Sequence, residues 1–154
     1  MSDELRVPKR RARVEVQLSD GAALQLTVFL AEFASGHGGH ERLSDLLNAP
    51  GDFLPALDAA TDAVQFVNRA SIAAATVSRE WETNDELAGV EEHELELSLL
   101  DGAALRGKVR FVLPPGHSRL LDFLNEAQPF IRLEHSDKVT LVNKRHIARI
   151  AKVQ

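Results

Sequence analysis

The sequence predicts a mainly β fold with short helices (α+β), arranged as two tandem, pseudo-symmetric repeats that each form a small β-barrel-like unit. The pentapeptide Asp-Gly-Ala-Ala-Leu occurs twice, at residues 20–24 and 101–105. Apolar and polar residues alternate on both sides of each copy, as in half-buried strands. The 154 residues are 44% hydrophobic and 27% charged, which suits a globular protein and argues against a disordered chain. Each repeat is expected to run strand, strand, helix, strand, strand, strand.

The similarity between the two halves continues beyond the pentapeptide in the same order. Residues 40–48 align with 117–125, and residues 62–69 align with 137–144. We therefore divide the chain into a basic N-terminal arm (1–12), a first repeat (13–77), an acidic linker (78–92) and a second repeat (93–154). A unit of roughly 60 residues is only marginally stable alone, so the two repeats are expected to pack as one globular body.

The first two strands of each repeat are expected to form a hairpin. Residues 14–18 and 95–99 alternate strictly between apolar and polar side chains. Asp-Gly then follows, and this pair favours a tight reversal because glycine tolerates a positive φ. The returning strands are predicted over residues 24–30 and 105–113.

A short helix and three further strands complete each repeat. Residues 42–48 and 119–125 place leucines on one helical face and end in Asn, which accepts a left-handed cap conformation. Strands are predicted over 53–57 and 130–133, then over 64–67 and 139–142. Pro55 predicts an edge position for its strand, because proline donates no ladder hydrogen bond. A tight turn then leads into a last strand that begins at Ile72 or Ile147.

Two resemblances follow from this pattern. Five short strands with a tight turn before the last one resemble an SH3-like or Sm-like small barrel, although the helix lies within the strand order and the glycine-asparagine pair of Sm proteins is missing. The recurring Arg-Leu-x-Asp-x-Leu-Asn, followed by Phe and later by Val-Asn-Lys/Arg, resembles uncharacterised bacterial proteins of the domain-of-unknown-function type. Neither resemblance implies a catalytic residue.

Composition excludes several classes of function. The absence of cysteine excludes disulfides, thiolate metal sites and cysteine nucleophiles. The sequence has no secretory signal and no run of roughly 18 apolar residues, so we expect a cytoplasmic protein. No nucleophile elbow, phosphate-binding loop or paired carboxylate motif occurs, and His37 and His40 lack a second ligand pair. We therefore predict no enzymatic activity, no cofactor and no metal.

Basic residues near the start of the chain form the first candidate partner-binding group. Five positive charges occur within eight residues of a chain whose net charge is −5, and they could contact an acidic protein, a nucleic acid or lipid headgroups. This opening also resembles that of PilZ domains, which bind cyclic di-GMP, but the Asp/Asn-x-Ser-x-x-Gly motif of that family does not follow. The candidates are Arg10, Arg11 and Arg13.

The remaining candidates lie in the linker and in the two helices. Trp81 stands in a polar segment, where it would either pack as a lid between the repeats or anchor a partner. Arg42 with Asp45, and Arg119 with Asp122, would form either a polar recognition stripe or simply intrahelical ion pairs.

These observations favour a non-enzymatic protein-binding adaptor, regulator or assembly module, with a homodimer as the expected state. Short sheets with free edges favour strand pairing between molecules, and duplicated modules readily self-associate. The alternative is binding of nucleic acid or a cyclic dinucleotide through the basic arm.

Overall fold

A computed structural model describes residues 9–34, 38–83, 90–112, 116 and 119–153. Within these ranges the chain forms ten strands and two short helices, α1 (Leu43–Leu47) and α2 (Leu120–Leu124). A single 3-10 turn precedes β5, another follows it, and a third precedes β10. The strands are β1 (Lys9–Leu18), β2 (Ala23–Ala31), β3 (Phe53–Asp58), β4 (Val64–Asn68), β5 (Ile72–Ser78), β6 (Glu91–Leu99), β7 (Ala104–Phe111), β8 (Phe130–Glu134), β9 (Lys138–Asn143) and β10 (Ile147–Lys152).

All ten strands belong to one antiparallel sheet in the order β10-β6-β7-β8-β9-β5-β1-β2-β3-β4. The order β5-β1-β2-β3-β4 of the first half is repeated in the second half as β10-β6-β7-β8-β9. Pairing of β5 with β9 joins the halves, from Ala74 opposite Val142 to Ser78 opposite Lys138. We call this pairing the internal joint. The sheet consequently ends in β10 on one side and β4 on the other.

The predicted fold class is wrong, although the elements occur in the predicted order along the chain. Strands make up 54% of the described residues and helices 15%, so the protein is an all-β sheet fold rather than an α+β one. The sheet is continuous and open, and it does not close into two barrels. Periodicity could predict the strands but not this arrangement. A closed barrel would require β5 to pair with β4 of its own repeat, whereas β5 pairs with β9 of the second repeat.

The two Asp-Gly turns form as the sequence predicts. The Oδ1 atoms of Asp20 and Asp101 each accept a hydrogen bond from the backbone two residues later, at 2.9 Å. Gly21 and Gly102 follow at φ values of 90° and 91°, where a side chain would be strained. The helices are shorter than predicted, and their C-caps Asn48 and Asn125 have negative φ values rather than left-handed ones.

The prediction that Pro55 marks an edge strand is also wrong, because β3 lies between β2 and β4. The ladder between β2 and β3 covers only Leu26–Val28 of β2 and ends where Val28 faces Ala56. Pro55 lies one residue beyond that ladder. Its missing N–H group therefore costs no hydrogen bond to β2.

Two hydrophobic cores lie on opposite faces of the sheet. The first is built mainly from β1 to β5 and α1, and the second from β6 to β9 and α2. Strand β9 contributes to both, since Leu141 packs in the first core and its neighbour Val142 in the second. Successive side chains of a strand point to opposite faces, so the cores are on opposite sides.

Candidate functional site

The β4 edge of the sheet carries an exposed apolar patch. Phe53 of β3 is 59% exposed, and Val64 and Phe66 of β4 are 65% and 71% exposed. Phe53 and Phe66 lie on neighbouring strands, with Phe53 opposite Asn68 and Phe66 opposite Pro55. Leu54 and Val67, on the other face, are buried in the first core. We call Phe53, Val64 and Phe66 the edge patch.

The residues equivalent to the edge patch in the second repeat are buried. Phe130, Val139 and Leu141 align with Phe53, Val64 and Phe66, and none is more than 3% exposed. All three belong to the first core and not to the core of their own repeat. The same face of the repeat is therefore covered by the neighbouring repeat in one half and left open in the other.

Within the described ranges β4 pairs with β3 alone, so its backbone presents unpaired groups at this edge. Arg69 N donates to Asp52 O at 2.7 Å, and Asp58 N donates to Ala63 O at 2.9 Å, which fixes the alternation of the β3–β4 ladder. The N–H groups of Val64 and Phe66 consequently face away from β3. An edge strand with outward donors beside apolar side chains is a template for a further strand.

The opposite edge, β10, combines half-buried isoleucines with exposed basic residues. Ile147 and Ile150 pack against the second core, whereas Arg149 and Lys152 are exposed. Val153 N donates to Glu94 O at 2.9 Å, and Ala151 faces Glu96. The N–H groups of Ile150 and Lys152 therefore point away from β6.

A buried ionic cluster reinforces the internal joint. The Glu82 carboxylate is fully buried, accepting from Ser44 N at 2.7 Å and from Arg132 Nε at 2.9 Å. Arg132 also lies 3.1 Å from Glu134, which accepts from Arg79 at 2.9 Å. The cluster joins the segment after β5 to β8. Each charge of the cluster has an oppositely charged partner, as burial of charge requires, although Glu134 Oε2 meets Arg132 as an ion pair only and accepts no hydrogen bond.

Among the residues that the structure describes, no such cluster lies beside the edge patch. Strand β3 carries Pro55 and Leu57 at the positions where β8 carries Arg132 and Glu134. The two equivalent faces therefore differ in chemistry, with an apolar surface on the first repeat and a mixed apolar and ionic one on the second.

The predicted basic residues lie in β1, in the middle of the sheet rather than in an arm, and residues 1–8 are outside the described part of the chain. Arg11 and Arg13 are exposed, and the Arg11 guanidinium lies 5.6 Å from the centre of the Phe29 ring. Arg10 is half-buried on the other face, with its guanidinium 4.8 Å from the Trp81 ring. The structure thus separates Arg10 from the other two.

Trp81 and the helix residues also have internal contacts. Trp81 is half-buried against the first core, under the Arg10 guanidinium. At the start of α1, Arg42 N donates to Asp45 Oδ2 at 2.8 Å, and Arg42 Nε lies 3.5 Å from the same oxygen. In α2, Arg119 Nε lies 3.4 Å from Asp122 Oδ2. The two pairs lie at separate helix starts and form no common site.

An open groove of about 610 Å³ lies beside Gly107, between β7 and β8. Two of its basic side chains are paired across the β6–β7 hairpin, Arg106 with Glu94 at 3.7 Å and Lys108 with Glu92 at 3.6 Å. Burial lowers the pKa of Lys144, elsewhere on the molecule, and nearby Glu126 partly offsets this. No group of three His, Asp or Glu side chains suited to a metal ion occurs among the described residues.

Sequence reasoning missed the edge patch and the ionic cluster. Both copies are apolar at the same three positions, which indicates that these side chains pack against something, but which copy is covered follows only from the joint. The pairing of Glu82 with Arg132 left no signal, because the two residues are 50 positions apart.

The described part of the chain contains no helix of sufficient length and apolarity to cross a membrane. No family model matches this chain, and no curated protein or solved structure matches it either.

Proposed function

We propose that this protein is a non-enzymatic assembly module that binds another protein by strand addition at the β4 edge of its sheet. The observation that carries this proposal is the exposure of Phe53, Val64 and Phe66 beside unpaired backbone donors. Backbone hydrogen bonds would give such a contact its orientation, and the apolar side chains would give it affinity. Clustered exposed apolar groups are typical of interaction sites.

Site-specific photo-crosslinking in the source cell tests this function. A photoreactive phenylalanine analogue at position 66 should give discrete protein adducts. The matched control places the same analogue at Phe33, which is 76% exposed but lies after β2, outside both edge strands. Equal adducts at the two positions, or none at position 66, would contradict the proposal.

Anion binding on β1 is a second candidate, favoured by one observation. Lys9, Arg11 and Arg13 alternate along β1 on its exposed face and form a basic stripe. Titration with RNA, DNA and cyclic di-GMP at two salt concentrations tests this function. Binding should weaken with salt and be lost in Arg11→Ala/Arg13→Ala, whereas Arg10→Ala changes the other face and serves as control. Salt-independent binding, or equal loss in the control, would exclude the stripe.

A further inference from the structure

The internal joint specifies what the β4 edge can accept. In that joint, β5 of the first repeat pairs with β9 of the second, with Ala75 opposite Leu141 and Val77 opposite Val139. Strand β4 is the counterpart of β9, and β10 is the counterpart of β5. The two free edges of the sheet are therefore the same two kinds of strand that already pair inside the chain.

Transferring the register of the internal joint gives the expected pairing between the free edges. Ile150 takes the place of Ala75, and Phe66 takes the place of Leu141, so these two residues face each other. Lys152 then faces Val64. The N–H groups of all four residues point outward from their own strands, as shown above, so this register places donors and acceptors opposite one another.

Most side chains are complementary in the same register; the exception is Lys152, which takes the place of the buried Val77. In the internal joint, Phe130, Val139 and Leu141 of the second repeat are buried in the first core. The edge patch supplies the same three positions on the first repeat. Beside β10, Leu120, Leu124 and Ile150 are only half-buried against the second core. Their counterparts Leu43, Leu47 and Ala75, beside the occupied joint, are at most 3% exposed.

Two asparagine positions, each present in both repeats, support the same arrangement. Asn48, at the end of α1, accepts from Phe130 N at 2.9 Å across the internal joint. Its counterpart Asn125 is exposed. Asn143 caps its turn through Oδ1 and donates from Nδ2 to Ile72 O at 3.0 Å across the joint. Asn68 forms the equivalent cap with Ala70 N, but within the described residues its Nδ2 group has no acceptor.

We infer that the partner at the β4 edge is a second copy of this chain, joined head to tail through its β10 edge with Phe66 opposite Ile150. The contact repeats the internal joint between molecules, and the edge patch enters the second core of the neighbouring copy. This inference rests on the proposed function, since both require strand addition at β4. Such a contact is heterologous, so it builds a ring if the rotation closes and a filament if it does not.

Two variants, each with one of the two free edges of the sheet blocked, test the inference. Phe66→Pro removes the outward N–H group of β4, and Ile150→Pro removes that of β10, while neither loses a ladder bond within the chain. The wild-type protein should have a mass in light scattering of at least two 16.9-kDa chains. Each variant alone should be monomeric. An equimolar mixture should form a heterodimer, because one copy retains a free β10 and the other a free β4.

A second pair of variants guards against misfolding by proline. Phe66→Lys and Ile150→Lys keep the backbone N–H groups. Each of these variants should also be monomeric alone, and their equimolar mixture should form a heterodimer. Phe33→Lys is the matched control and should assemble like the wild type. Far-UV circular dichroism checks that each variant is folded.

Other results would overturn the inference in distinguishable ways. A β10-blocked variant that still dimerises would indicate pairing of β4 with β4, and a β4-blocked variant that still dimerises would indicate pairing of β10 with β10. A monomeric wild type that crosslinks through position 66 to a different protein would contradict self-assembly but support the proposed function. A monomer without such adducts would contradict both.

Discussion

At the scale of single residues, one buried carboxylate holds together segments that are distant in sequence. Glu82 accepts hydrogen bonds from Ser44 in the first repeat and Arg132 in the second. Glu82 stabilises the fold through these hydrogen bonds, because a buried carboxylate or guanidinium without a partner would be destabilising.

We therefore expect Glu82→Ala to destabilise the protein strongly. Removing the Glu82 carboxylate takes away the acceptor of Arg132 Nε and of Ser44 N, while Arg132 keeps its contact with Glu134 at 3.1 Å. Breaking a buried ion pair costs about 3–5 kcal/mol when the remaining charge is left alone, so we expect a loss at the lower end of that range, about 3 kcal/mol. The measurement is the free energy of unfolding in urea. Glu80→Ala is the matched control, because Glu80 is exposed and its loss should change stability by less than about 0.5 kcal/mol. Equal effects of the two substitutions would show that the cluster contributes nothing.

Asp58 gives a pH-dependent prediction. Hydrogen bonds from the backbone of Ala60 and Thr61 lower the pKa of Asp58 below its ordinary value of 3.8. A carboxyl with a lowered pKa in the folded state stabilises the protein above its unfolded pKa, and this contribution disappears as the pH falls through the folded pKa. At neutral pH the wild-type protein should unfold at a higher urea concentration than Asp58→Asn. This difference between the two urea midpoints should shrink below about pH 4. A pH-independent difference would contradict this assignment.

At the scale of elements, the turn before the last strand has the same hydrogen-bonded cap in both repeats but different surroundings. Asn68 and Asn143 both cap this turn by accepting from the backbone two residues later. Only Asn143 also donates across the internal joint, to Ile72 O, and it is 3% exposed.

Asn143→Ala should therefore destabilise the protein more than Asn68→Ala. Both substitutions remove a cap, which costs about 1 kcal/mol. Asn143→Ala also leaves the buried Ile72 carbonyl without this donor, which costs about 1–3 kcal/mol more. Thermal unfolding of the two variants measures the difference. Equal losses would show that the bond to Ile72 does not stabilise the joint.

The elements were predictable because they are encoded locally, whereas their assembly is not. Alternation at residues 14–18 and the Asp-Gly turns predicted the hairpins, and the repeated leucines predicted the helices. Which strand β5 would pair with depends on a contact between Ala75 and Leu141, 66 positions apart, which periodicity does not encode. The exposure of Phe66 depends on the same choice, so the edge patch was beyond local reasoning.

At the scale of the whole molecule, the cores are interlocked rather than independent. Phe130, Val139 and Leu141 belong to the second repeat by sequence and to the first core by packing. Separating the repeats would expose all three side chains together with the ionic cluster. Neither half can unfold without removing part of the environment of the other.

We accordingly expect one cooperative unfolding transition. Trp81 is the only tryptophan and packs against the first core, so its fluorescence reports on that half, while far-UV circular dichroism reports on all ten strands. The two signals should give coincident urea transitions. A fluorescence transition separated from the circular dichroism transition would show that the repeats unfold independently.

The internal joint and the free β4 edge are encoded by different residues, so each can be altered without the other. A protein with a single repeat would use one set of side chains for every contact between its units, so any substitution would alter them all. Here a substitution at Val139 or Leu141 of β9 acts on the internal joint, and one at the exposed Val64 or Phe66 of β4 acts on the free edge. The affinity of the β4 edge for a partner strand can therefore change without loss of stability in the fold.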